Sequence, residues 1–252
     1  MNDRKKELEK FKEDKVSARE ELFNKAVQVL KDLDPVAIHQ FGSGSDGYRD
    51  EFSDIDLFTT VKDDSYQKVL NNRENIYGQI APLLLINGAY YEDKNTGRSY
   101  YHELMLYEVN GHIIHLDGYF FPESEVILPT KSILIYGSDD FPKKDDVLIG
   151  TAVYTDKSLA KQLKGLHAMI FISVKALVRY WDEDFLIWVK GIFVDYFKQK
   201  DGSVPESPTS IDFELVFSML EQLKTEGDQK QQYLNEKIYS YAKKVSTLYK
   251  NG

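Results

Sequence analysis

The spacing of apolar residues divides the chain into a strand-rich first part and a helical second part. Residues 1–33 contain neither Gly nor Pro, and their apolar residues recur at helical spacing, as at Leu22, Ala26, Val29 and Leu30. We therefore expect one or two helices that end near residue 34.

Short apolar runs between residues 37 and 137 predict the strands of a mixed sheet. In chain order the runs are "AIHQF", "DIDLFTTV", "PLLLING", "SYYHELMLYEV", "HIIHLDGYFF" and "SILIYG". A helix is expected between the second and third runs, from Ser65 to about Ile80. The two longest runs are joined by Asn110-Gly111, a typical sequence for a two-residue hairpin turn.

From about residue 155 the apolar spacing becomes helical. Asp156 is a suitable amino-terminal cap for the first helix, and a capped start of the second is expected at Asp182 to Asp184. Two further helical segments follow, "IDFELVFSMLEQL" and "KQQYLNEKIYSYAKKVSTLY". We therefore predict an α+β protein. A mixed-sheet domain with flanking helices covers residues 1–150, of which 1–33 form a helical amino-terminal segment, and a helical bundle covers 151–252.

Composition and charge narrow the classes of function. The chain has 252 residues, no cysteine and a net charge of −9, so disulfides and thiolate chemistry are excluded and non-specific attraction to nucleic acid is disfavoured. No apolar run reaches the roughly 18 residues that a membrane span needs, and the amino-terminal residues are highly charged. We expect a cytoplasmic protein whose partner is neutral or cationic.

Two acids lie in a strand that is otherwise apolar. Asp54 and Asp56 are one residue apart, so in an extended chain both project from one face, whereas Ile55 and Leu57 project from the other. Two like charges on one face repel each other unless a positive charge lies between them. Carboxylates at this spacing suit Mg²⁺, and a pair of such ions about 3.5 to 4 Å apart serves in-line phosphoryl displacement.

The hairpin predicts that a third acid shares a face with two histidines. If Asn110-Gly111 is a two-residue turn, Asp117 lies on the same face as His102 and His115. A lone carboxylate in an apolar strand is expected to be paired, protonated or bound to metal. The histidines invite an acid–base relay or a metal site, although sheet-face histidines are usually satisfied by their neighbours.

A Gly-Ser break precedes the acidic strand. A tight turn at Gly42, Ser43 and Gly44 would leave backbone N–H groups and a hydroxyl free to hold a phosphate group. The combination of strand, Gly-Ser break, acidic pair and later strand acid is far more specific than any of its parts.

The stretch "GSGSDGYRDEFSDIDL" resembles the signature of the nucleotidyltransferase superfamily that includes DNA polymerase beta. It looks particularly like the motif of the aminoglycoside adenylyltransferases, and the layout of the whole chain is similar to that of the lincosamide nucleotidyltransferases. The resemblance implies that Asp54 and Asp56 bind Mg²⁺, that Ser43 and the neighbouring backbone hold the triphosphate of ATP or another NTP, and that Asp117 binds metal or accepts a proton. It also allows a homodimer in which two chains share each site.

The resemblance leaves the charge of the triphosphate to be balanced by other residues. Many members of the superfamily carry Arg or Lys where this chain has Asp46. Arg49 is the nearest candidate, and Lys175 and Arg179, four residues apart on a predicted helix, are candidates from the second domain. A solvated helix face is an equally good interpretation of that last pair.

The acceptor half of the site is less well defined by the sequence. The segment around Trp181, Asp182 and Glu183 is interpreted as packing or as the lining of an acceptor pocket, and His167 is assigned to the core of its helix. An acidic, aromatic pocket would suit a cationic sugar antibiotic.

The resemblance predicts transfer of AMP from ATP to a hydroxyl of a small molecule, such as an aminoglycoside or lincosamide antibiotic, with release of pyrophosphate. Transfer to a protein or an RNA is one alternative, and the acidic net charge disfavours RNA. A non-catalytic nucleotide-binding module is the other, and the presence of Asp54, Asp56 and Asp117 argues against it.

Overall fold

The computed structural model describes residues 3–42, 45, 50–93, 98–145, 151–153, 156–179, 182–206 and 208–249. These residues form two compact units. The sheet unit consists of residues 12–155, and the helical unit consists of residues 156–252 together with those up to Phe11. Among the described helices, none is both long and apolar enough to span a membrane.

Among its described residues, the sheet unit contains three α-helices and nine strands. The helices are α1 (Asp3–Lys31, whose first residues belong to the helical unit), α2 (Asp63–Asn71) and α3 (Arg73–Gly78). The strands are β1 (Ala37–Gln40), β2 (Ile55–Val61), β3 (Leu83–Asp93), β4 (Arg98–Val109), β5 (His112–Pro122), β6 (Leu128–Pro129), β7 (Ile133–Gly137), β8 (Lys143–Lys144) and β9 (Thr151–Val153).

Seven of these strands form one mixed sheet in the order β7-β1-β2-β5-β4-β3-β9, and β6 pairs with β8 separately. The neighbours β2 and β5 are parallel, whereas the other pairs in the large sheet are antiparallel. The predicted α+β class, with a mixed sheet followed by helices, is confirmed.

The hairpin between β4 and β5 has the predicted two-residue turn. Asn110 and Gly111 have φ values of 51° and 76°, as in a type I′ turn, and Val109 pairs with His112. The register brings Leu104 opposite Asp117, as the sequence predicted.

Strand alternation gives the sheet two different faces. Ile55 and Leu57 are buried in the core beneath α1, α2 and α3, together with Leu116 of β5. The opposite face carries an aromatic cluster in which Phe58 and Phe121 stack with ring centroids 4.1 Å apart. Because side chains alternate along a strand, Asp54 and Asp56 lie on the aromatic side of the sheet.

The helical unit is built from α4 (Leu159–Arg179), α5 (Glu183–Asp201), α6 (Phe213–Leu223) and α7 (Gln229–Tyr249). Asp182 caps α5 by accepting a hydrogen bond from the Phe185 N–H, and Asp212 caps α6 in the same way with the Glu214 N–H. The sequence predicted both helices and a capped start of α5 at Asp182 to Asp184. The cap predicted at Asp156 for α4 is wrong, because α4 begins at Leu159 and Ser158 Oγ accepts a hydrogen bond from the Lys161 N–H.

The structure differs from the predicted elements in a few places. The single helix expected from Ser65 to about Ile80 is two helices, because the chain leaves helical geometry at Asn72, where φ is −105° and ψ is 6°. Asn is a weak helix former, which favours a break there. The domain boundary predicted near residue 150 falls in 146–150, outside the described residues.

Buried polar side chains connect three helices of the helical unit. His167 of α4 is fully buried, with Nε2 3.2 Å from Asn235 Oδ1 of α7, and the Asn235 amide donates to the Leu220 carbonyl of α6. Burial lowers the pKa of His167 to about 4, although the hydrogen bond to Asn235 favours the protonated form.

We expect the helical unit to lose stability as the pH falls from about 6.5 to about 4. The unfolded state takes up a proton at His167 in this range and the folded state does not, so the free energy of unfolding should be about 3 kcal/mol smaller at about pH 4 than at about pH 7. Both tryptophans, Trp181 and Trp188, belong to this part of the chain, so urea unfolding followed by their fluorescence measures the effect. His167→Gln should flatten the pH dependence, and an equal slope in that variant would contradict the assignment.

Candidate functional site

The parallel pairing of β2 with β5 brings the predicted acids together. Asp56 is paired in register with Asp117, and Asp54 precedes Ile55, the residue paired with Leu116. Laterally paired residues in adjacent strands project from the same face, so Asp56 and Asp117 share the sheet face that lies opposite α1, α2 and α3. Asp54 joins them through its contact with His115. The sequence predicted two separate groups, Asp54 with Asp56 and Asp117 with His102 and His115, and the pairing of β2 with β5 joins them.

His115 lies between two of the acids. Its Nδ1 is 3.0 Å from Asp54 Oδ1, and its Nε2 is 3.2 Å from Asp117 Oδ2. The exposed fractions of the side chains are 5% for His115, 14% for Asp117 and 28% for Asp54, so the histidine is the innermost of the three. The imidazole therefore lies between the carboxylates of Asp54 and Asp117.

A second histidine, His102, contacts the carboxylate oxygen of Asp117 that His115 does not contact. His102 Nε2 is 2.7 Å from Asp117 Oδ1, which leaves Oδ2 directed at His115. The His102 ring stacks on Tyr119, its partner across the β4–β5 pair, with centroids 4.5 Å apart and planes 16° from parallel. The stacking and the hydrogen bond together fix the orientation of the Asp117 carboxylate.

The charges of the site shift the pKa values of its groups in opposite directions. Burial disfavours charge on His115, but the negative charges of Asp117 and Asp54 outweigh burial and raise the pKa of His115 to about 10. Burial also disfavours charge on Asp117, but His115 and His102 lower the pKa of that carboxyl well below its usual range. The neighbouring carboxylates therefore favour the protonated form of His115, and the histidines favour the ionised form of Asp117.

The donor atoms of the site fit a divalent cation. Asp54, His115 and Asp117 each offer one ligand atom, and these atoms lie within 4.8 Å of one another. Two carboxylates and an imidazole are a common ligand set for divalent ions. Asp56 is not in this set of described residues, and its role as a metal ligand stays a prediction.

Gly42 lies directly against the Asp56 carboxylate. Its φ is +67°, a region that favours glycine, and a Cβ built there would be 2.3 Å from Asp56 Oδ2. The Phe41 N–H donates to the Asp56 carbonyl, which holds the end of β1 beside β2. Gly42, where the turn before the acidic strand begins, therefore lies beside the Asp56 carboxylate.

Several predicted ligands cannot be placed at this site. Ser43, Gly44 and Arg49 lie outside the described residues, as does Trp181 of the predicted acceptor pocket. Lys175 is buried in α4 of the helical unit and Arg179 is half-buried at the end of that helix. Their part in nucleotide binding stays a prediction.

Sequence reasoning missed the contact between His115 and Asp54. It placed His115 on the face of Asp117 through the hairpin, but it had no means of knowing that β2 lies next to β5 in parallel orientation. The sequence did contain one signal, which is that two histidines lie on the face of Asp117. His115 is two residues before Asp117 on β5, and His102 on β4 lies opposite Tyr119.

Comparison with known proteins does not assign the chain to a family. No protein-family model matches it, and no curated protein matches it. The likeness of residues 42–57 to a nucleotidyltransferase motif therefore remains an inference from the residues themselves.

Proposed function

We propose that the chain is a divalent-metal-dependent nucleotidyltransferase that moves a nucleoside monophosphate, in the first instance AMP from ATP, to a hydroxyl of a small molecule. The observation that carries the proposal is the grouping of Asp54, Asp56 and Asp117 on one sheet face beside the Gly42 turn. The motif in residues 42–57 supports a phosphate-binding role for the turn that begins at Gly42.

In the proposed reaction the acceptor hydroxyl oxygen bonds to the α-phosphorus of the nucleotide. The bond from that phosphorus to the oxygen bridging the β-phosphate breaks, and pyrophosphate leaves. The hydroxyl proton passes to Asp117 or to solvent. A bound divalent cation would supply neutralisation of the phosphate charge and polarisation of the α-phosphoryl group.

The residues of the chain have separate tasks in this scheme. Asp54 and Asp56 hold positive charge at the site, and the backbone from Gly42 onwards holds phosphate oxygens. His102 keeps the Asp117 carboxylate in one orientation through the 2.7 Å contact between Nε2 and Oδ1. Orientation matters because a displaced catalytic group loses much of its effect on rate.

A cationic acceptor fits the acidic chain, whose net charge is −9. Aminoglycosides and lincosamides are the first compounds to test, because the motif resembles enzymes that modify them. The test incubates the protein with divalent metal, each of the four NTPs and a panel of such hydroxyl compounds. Mass spectrometry should detect an acceptor enlarged by one nucleoside monophosphate, together with pyrophosphate. Self-modification of the protein with no small-molecule product would instead favour transfer to protein.

A further inference from the structure

We infer that His115 is a nitrogen ligand of the metal site, so that Asp54, His115 and Asp117 form a mixed oxygen and nitrogen centre that selects first-row transition-metal ions over Mg²⁺. The inference rests on the proposed function only for the reaction that the metal would serve. Metal binding by these three residues is measurable without any nucleotide.

The first support is the position of the His115 ring. Its two nitrogens lie 3.0 Å from Asp54 Oδ1 and 3.2 Å from Asp117 Oδ2, and one ligand atom from each residue falls within 4.8 Å of the others. Three ligand atoms this close together can share one metal ion.

The second support is the unsatisfied bonding of His115. The side chain is only 5% exposed, yet among the described residues neither ring nitrogen has a hydrogen bond of good geometry, although carboxylate oxygens lie close by. A buried polar group in a native structure is normally paired, so a nitrogen left without an aligned partner points to a ligand.

The third support is a fixed second layer around the ligands. His102 occupies Asp117 Oδ1 at 2.7 Å and stacks on Tyr119, so Oδ2 is the oxygen directed into the site. Residues that orient metal ligands in this manner are a regular part of metal centres and strongly affect affinity. His102 touches one carboxylate of the set, whereas His115 touches both, which distinguishes an orienting residue from a ligand.

The ligand chemistry determines the choice of metal. Mg²⁺ prefers oxygen ligands and retains several waters, and it is usually held by carboxylates and phosphates. Imidazole favours transition-metal ions instead. A site in which one of three protein ligands is a histidine should therefore bind Mn²⁺ more tightly than Mg²⁺, and this preference should depend on His115.

The test uses Mn²⁺ as the probe and the full chain without nucleotide. Pulsed electron paramagnetic resonance should show modulation from a coordinated ¹⁴N nucleus in the wild type, and the modulation should change when the histidines are labelled with ¹⁵N. His115→Asn should abolish this signal and weaken Mn²⁺ binding at least about 10-fold, with a smaller effect on Mg²⁺. His102→Asn is the matched control and should keep the ¹⁴N signal.

The wild-type spectrum alone can contradict the inference. The test therefore remains valid even if the His115 variant does not fold. Bound Mn²⁺ without ¹⁴N modulation, no Mn²⁺ binding, or a signal that survives in His115→Asn would each mean that His115 only neutralises the carboxylates. Nucleotidyl transfer with Mg²⁺ could still be present in those cases. Conversely, a ¹⁴N signal in a protein that transfers no nucleotide would keep the ligand assignment and reject the proposed function.

Discussion

Asp117→Asn is expected to lower nucleotidyl transfer by about 10²-fold or more and to weaken nucleotide binding less than Asp54→Asn or Asp56→Asn does. Asp117 is paired with Asp56 across the parallel strands, and its carboxylate contacts both site histidines. The amide keeps the shape of the side chain but loses the charge that binds metal or accepts the acceptor proton, and loss of such a group costs about 10² to 10⁴ in rate. Steady-state kinetics measure the rate of transfer, and calorimetry measures the affinity for nucleotide.

The chain offers a matched control for this substitution. Asp139 also binds a buried histidine in the sheet unit, with Oδ1 3.0 Å from His39 Nε2, but it lies outside the candidate site. Asp139→Asn should therefore retain transfer. Wild-type transfer by Asp117→Asn would remove Asp117 from the mechanism, and an equal loss in both variants would point to a general effect on the fold.

Gly42→Ala is expected to lower transfer by about 10²-fold, because the new Cβ would displace the Asp56 carboxylate. That Cβ would lie 2.3 Å from Asp56 Oδ2. A displacement of about 1 Å at a catalytic group can cost on the order of 10² in rate. The positive φ adds roughly 1 to 2 kcal/mol of strain, which urea unfolding should detect as reduced stability.

Gly111→Ala separates strain from displacement. Gly111 has φ +76°, and a Cβ there would meet nothing within 4 Å. It should lose similar stability and keep transfer. If Gly42→Ala keeps full transfer at a similar loss of stability, the Asp56 carboxylate does not need its observed position.

Local patterns were sufficient to predict much of the fold. The alternation of Asp54, Ile55 and Asp56 fixed which side chains share a face, and Asn110-Gly111 fixed the register of the hairpin, because a one-residue slip would have moved Asp117 to the helix side. The acids at Asp182 to Asp184 likewise marked the start of α5, since the Asp182 carboxylate satisfies a backbone N–H that has no partner within the helix.

Long-range pairing was not available from the pattern. The parallel neighbours β2 and β5 are separated in sequence by two helices and two strands, and no local signal specifies their register. That register creates the contact between Asp54 and His115, which is why the sequence placed His115 near one acid and not near two. The short strands β6, β8 and β9 were missed for a similar reason, because two or three residues show no period.

The central claim is tested most directly by calorimetric titration of ATP into the protein, first with a divalent metal and then with a chelator. The triphosphate brings negative charge to a site that already contains carboxylates, so binding should require the metal and should weaken at least about 10-fold in Asp54→Asn or Asp56→Asn. The measurement needs no knowledge of the acceptor. Metal-independent ATP binding that is unchanged in both variants, or failure of all four NTPs to bind in the presence of metal, would contradict a metal-dependent nucleotidyltransferase.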